Sequence, residues 1–83
     1  MHNLISWTEK FPDGIRREVR VHVSHQKLKW QFKRSDAEVW DYTSAPLASD
    51  WEQLLDILRR RAGRGRAPDL VEAVQRMRDK AGV

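Results

Sequence analysis

The sequence predicts an α+β fold: a four-stranded antiparallel meander followed by two C-terminal helices packed on one of its faces, ββββαα. Two observations predict it. Up to Ser44-Ala45-Pro46 the apolar residues recur with a period of two, and beyond that point they recur with a period near 3.6. The alternating part is cut into strand-length runs by turn residues, the clearest being Pro12-Asp13-Gly14. At 83 residues the chain fits one domain with one small core. The expectation is a single domain over 1–83, with the sheet in 1–43 and a two-helix layer in 47–83.

The first hairpin follows from its turn. Pro presets φ, Asp follows, and Gly14 can adopt φ > 0, which suits a type I turn with a glycine bulge. Pairing Phe11 with Ile15 then sets the register. Ile5 faces Val21 and Trp7 faces Val19 on an apolar face, with Glu9 beside Arg17 at its margin. Lys10 faces Arg16, Thr8 faces Glu18, Ser6 faces Arg20 and Leu4 faces His22 on a polar one.

The second hairpin obeys the same alternation. An even-length turn at His25-Gln26 places Val23 opposite Leu28, Val21 opposite Trp30 and Val19 opposite Phe32. A slip of one residue would mix the two faces, so the pattern selects this register.

A fourth strand is expected over Glu38-Val39-Trp40-Asp41-Tyr42, after a turn at Ser35-Asp36. Two registers are open. A two-residue loop buries Val39 and exposes Trp40 and Tyr42. A three-residue loop turns Trp40 and Tyr42 inward, opposite Phe32 and Trp30. Burying two aromatics removes more apolar surface from water than burying one valine, so the second register is expected.

Ser49-Asp50-Trp51-Glu52 reads as a capping box that starts the first helix, with Ser49 as N-cap. Trp51, Leu54, Leu55, Leu58 and Ala62 form its apolar stripe. Gly63 and Gly65 end it. Pro68 suits the first position of the second helix, whose stripe is Leu70, Ala73, Val74, Met77 and Ala81, and Gly82 stops it. The helices are expected to cover the sheet face made by Ile5, Trp7, Val19, Val21, Leu28, Trp30 and Phe32.

Composition narrows the function. The 16 Lys+Arg and 12 Asp+Glu give a net charge of +4. The absence of cysteine excludes a disulfide frame, a thiol nucleophile and a cysteine zinc knuckle. No apolar run reaches the length of a membrane span, and the first residues lack the pattern of a signal peptide. A cytoplasmic protein with no membrane partner is therefore expected. The sequence has no Gly-rich phosphate loop, no G-x-S-x-G elbow and no H-E-x-x-H, so no catalytic residue and no cofactor is assigned. His22 and His25 have HxxH spacing, but no neighbouring ligand set completes a metal site, and none is assigned. The four tryptophans are read as core.

What remains is charge and its placement. The halves 1–46 and 47–83 each carry eight basic and six acidic residues, so neither is a basic tail. The registers concentrate the cations instead. The polar sheet face gathers Lys10, Arg16, Arg20, His22, Lys27, Lys29 and Lys33 against Glu18. A second basic element, Arg59-Arg60-Arg61-Ala62-Gly63-Arg64-Gly65-Arg66, closes the first helix. Its arginines suit the negative end of the helix dipole as well as a phosphate or carboxylate ligand.

The expected function is a small non-enzymatic module that binds DNA or RNA through its backbone phosphates. Arg16, Arg20, Lys27, Lys29 and Lys33 are the primary contacts, and Arg59, Arg60, Arg61, Arg64 and Arg66 form a second anchor. The alternative is a protein-interaction or regulatory adaptor, including a homodimer, that meets an acidic partner through a sheet edge or the second helix.

Overall fold

A computed structural model describes residues 3–65 and 69–82. Its elements are β1 (Asn3–Lys10), β2 (Arg16–Val23), β3 (Leu28–Arg34), α1 (Ala48–Ala62) and α2 (Asp69–Ala81). The three strands form one antiparallel sheet in the order β1-β2-β3, so the fold is α+β with the helices C-terminal. The chain divides into two compact units. One holds the residues up to Val23 together with Leu28–Ala45; the other holds Ser24–Lys27 and the residues from Pro46 onward.

Both hairpin registers agree with the alternation. Ile5 pairs Val21, Trp7 pairs Val19 and Glu9 pairs Arg17. Val19 pairs Phe32, Val21 pairs Trp30 and Val23 pairs Leu28. The first turn closes through Phe11 N–H to the Ile15 carbonyl at 2.9 Å and Gly14 N–H to the Phe11 carbonyl at 3.0 Å. Asp13 Oδ1 accepts the Ile15 N–H at 3.0 Å, and Gly14 takes φ +88°, where a Cβ is strained. The second turn needs no Asn-Gly because Ser24 closes it. Its N–H and its hydroxyl both donate to the Lys27 carbonyl, at 3.1 and 2.8 Å, and its Oγ accepts the Lys27 N–H at 3.1 Å.

Ile5, Val19, Val21, Val23 and Phe32 are buried. Trp7, Trp30 and Phe32 form an aromatic chain on the same face: Trp7 meets Trp30 edge-on at 6.3 Å, and Trp30 stacks on Phe32 at 6.0 Å. Arg17 lies over the Phe32 ring at 4.5 Å and holds Glu9 at 3.4 Å, so the expected margin pair is present.

The fourth strand is absent. Residues 38–42 contribute only an isolated bridge, in which Phe32 and Asp41 exchange both backbone bonds, at 2.9 and 2.7 Å. Local polar bonds bend the chain on either side of it. Arg34 grips Asp36 with two hydrogen bonds, at 3.0 and 3.1 Å. Asp41 Oδ1 accepts the backbone N–H groups of Thr43 and Ser44, an Asx turn that leads the chain away from the sheet. Neither expected loop length occurs, because Asp41 rather than Val39 or Trp40 stands opposite Phe32.

The helices keep the expected order with shifted starts. The N-cap of α1 is Leu47, not Ser49. Asp50, one turn in, accepts the Leu47 N–H at 2.8 Å and supplies the acidic half of a cap that leucine's own side chain cannot reciprocate. Trp51, Leu54, Leu55 and Leu58 are buried as the stripe requires, and Asp50 is buried with them. The left-handed residue beyond α1 is Gly65 rather than the cap Gly63, which is right-handed. Leu70, Ala73 and Val74 are buried on α2, while Ala81 is exposed. Gly82 follows α2 at φ +73°. The expected role of Pro68 lies outside the described residues.

Candidate nucleic-acid interface

Residues paired across an antiparallel ladder share a face, so the register alone assembles the polar side of the sheet. Three rows cross all three strands: Leu4–His22–Lys29, Ser6–Arg20–Gln31 and Thr8–Glu18–Lys33. Lys10 and Arg16 form a fourth, closed at its end by Ser35, whose Oγ accepts the Arg16 N–H at 3.0 Å. Five cations (Lys10, Arg16, Arg20, Lys29, Lys33) thus share this face with one acid, Glu18. Lys10, Arg16 and Lys29 are exposed, and Lys33 and Arg20 are half-buried. An open depression lined by Thr8, Arg16, Glu18, Lys33, Arg34 and Ser35 lies along one margin of the sheet.

Of the residues expected on this face, Lys10, Arg16, Arg20, His22, Lys29 and Lys33 are brought together by the register. Lys27 lies in the second turn and belongs to the helical unit. The Arg20 guanidinium also sits 4.5 Å above the ring of Trp40. That contact places Trp40 on the polar face and corrects the expected inward orientation. Tyr42 is not buried either; it is 65% exposed. The inward reading weighed only apolar area. A cation–π contact, together with an Asp41 that must face its own turn, reverses the parity.

Asp41 ties this segment together. Besides the two N–H groups it receives hydroxyl bonds from Thr43 and Ser44. The Ser44 bond leads the causes that hold its carboxyl down at about 2. Arg34 is neutralised locally: its hydrogen bonds to Asp36 lower the Asp36 carboxyl and raise the Arg34 guanidinium.

The second basic element belongs to the helical unit. Arg59, Arg60 and Arg61 occupy the last turn of α1 and Arg64 the turn after it; Arg66 lies outside the described residues. Arg60 reaches Asp56, one turn back, at 2.9 Å. In the same unit Arg78 approaches Glu52 at 3.9 Å, and His25 Nε2 lies 2.6 Å from Asp69 Oδ2, a bond that lowers the Asp69 carboxyl. His25 therefore serves a turn-to-helix contact, while His22 stands in a polar row of the sheet.

The outward orientation of Trp40 and Tyr42 belongs to the register that buried area alone disfavours. The signal was Asp41-Tyr42-Thr43-Ser44, an aspartate two and three residues ahead of N–H groups it can accept, which marks a turn rather than a strand. Among the described residues no helix is long and apolar enough to cross a membrane. The chain matches no protein-family model, no curated protein and no solved structure.

Proposed function

We propose that this chain is a non-enzymatic nucleic-acid-binding module whose contact surface is the polar face of the sheet. The supporting observation is the sorting of charge: Lys10, Arg16, Lys29 and Lys33 stand on one side of three strands with Glu18 as the single acid among them. Such a face attracts a polyanion by neutralising phosphates and releasing their counterions. Its cations are positioning groups for the backbone rather than readers of base edges. Arg20 acts through Trp40 as well as through its charge. The arginines at the end of α1 are a secondary element, partly occupied by Asp56 and by the helix dipole.

Titration against DNA and RNA at low and moderate salt tests the reading. Binding that weakens steeply with salt supports it, and no binding at low salt sinks it. The alternative, a protein adaptor, draws on β1, which lies at an edge of the sheet order and can accept another strand. Light scattering that shows a dimer, or a partner retained after nuclease treatment and moderate salt, favours the adaptor.

A further inference from the structure

We infer that the nucleic acid this face takes is single-stranded, with Tyr42 stacking on a base beside Lys29. The inference rests on the proposed basic-face reading and adds the class of ligand to it.

A duplex presents phosphates outward and keeps its bases stacked inside. Lysines and arginines serve either form, but an exposed aromatic ring gains a stacking partner only from an unpaired base. Two aromatics of the sheet unit stand where such a ring is useful. Trp40 lies under the Arg20 guanidinium at 4.5 Å, on the cationic side of the sheet. Tyr42 is 65% exposed. Tyr42 borders an open depression of about 350 Å³ together with Leu28, Lys29, Trp30, Gln31 and Ser44. That volume is at the low end of the ~300–1,000 Å³ range of small-molecule sites, enough for one planar ring.

The exposure of Tyr42 is held in place by its neighbours. Asp41 before it is fixed to Phe32 by two backbone bonds, and the Asp41 carboxylate bonds Thr43 and Ser44 after it. A ring displayed from a fixed backbone loses little conformational freedom on binding, which favours affinity. Lys29 stands in a polar row and lines the same depression, so a cation for the phosphate and a ring for the base lie side by side.

The test compares a labelled oligothymidylate, an oligouridylate and the duplex of oligothymidylate with oligoadenylate, using the full chain with Tyr42, Tyr42→Ala or Tyr42→Phe. The single strands are expected to bind more tightly than the duplex. Tyr42→Ala should weaken single-strand binding by about 5- to 150-fold, the range of one lost base–aromatic stack, and leave duplex binding unchanged. Tyr42→Phe should retain affinity. Because the ring is exposed, circular dichroism and the unfolding midpoint should not move in either variant. Equal affinity for single strand and duplex, or a Tyr42→Ala variant that binds single strands as the parent does, overturns the inference; if that binding still falls steeply with salt, the basic-face reading stands. Absence of binding to all three probes at low salt removes both.

Discussion

The chain has two concentrations of positive charge, and they differ in how the fold accounts for them. At the end of α1, Arg59, Arg60 and Arg61 sit against the carbonyl end of a helix, and Arg60 is 2.9 Å from Asp56. Those cations have intramolecular reasons to be there. On the sheet, Lys10 faces Arg16, and Lys29 and Lys33 stand on the same face with one acid. Like charges gathered on one surface oppose folding slightly, and among the described residues no salt bridge holds these cations. The contrast teaches that a run of basic residues in sequence can be accounted for within its own helix, whereas cations scattered in sequence are collected on one face by register.

Removing equal charge from the two regions breaks the comparison most directly. A chain carrying Arg16→Ala, Lys29→Ala and Lys33→Ala should lose roughly 100-fold in affinity for oligothymidylate at low salt, since each charged contact is worth at least ~1 kcal/mol. Its log–log salt slope should flatten by about 2, at ~0.7 per phosphate contact on a single strand. The matched triple Arg59→Ala, Arg60→Ala, Arg64→Ala changes the net charge by the same amount. It should cost less than about tenfold and flatten the slope by less than about 1. Equal losses from the two triples, read by fluorescence anisotropy, would mean that net charge rather than its placement governs binding.

The sheet face depends on a register that one turn helps to set. Gly14 has φ +88°, and a Cβ there meets nothing within 4 Å, so Gly14→Ala probes backbone strain alone. Urea unfolding should show a loss of about 1–2 kcal/mol with an unchanged m-value. A neutral result would show that the turn does not constrain the hairpin.

The smallest effect concerns the segment that carries the aromatics. The Asp41 carboxyl is lowered from 3.8 to about 2 in the folded chain, first by the Ser44 hydroxyl and then by the Thr43 and Ser44 N–H groups. A depressed carboxyl contributes stability that is complete above its unfolded value of 3.8 and is lost as the pH falls toward about 2. Acid titration of the unfolding midpoint should show that loss, and Asp41→Asn should flatten this part of the profile. An unaltered acid limb in Asp41→Asn would remove the carboxylate from the description of the turn.

How much of this was legible in the sequence follows from what each region is held by. The registers of β1, β2 and β3 were legible because alternation has a parity, and a one-residue error exposes Val19, Val21 and Val23 together. The apolar stripe of α1 was legible for the same kind of reason, from Trp51 to Leu58. The segment between β3 and α1 was not. Its path is set by Arg34 on Asp36, Asp41 on Thr43 and Ser44, and Asp50 on Leu47, short-range polar bonds that leave no hydrophobic period. Of the two orientations open to Trp40, buried area favours the inward one, and the partner that decides for the outward one, Arg20, leaves no hydrophobic period. The cations that the three strands bring to one face were legible as a set, because their placement follows from the same parity as the core.

The central claim is that the polar face of the sheet binds a nucleic-acid backbone. The most direct measurement is the salt dependence of oligothymidylate binding by the unaltered chain. If Lys10, Arg16, Lys29 and Lys33 each neutralise one phosphate, the slope of log K against log salt should be about −3, from ~0.7 per contact. A flat slope, or no binding at the lowest salt, contradicts the claim.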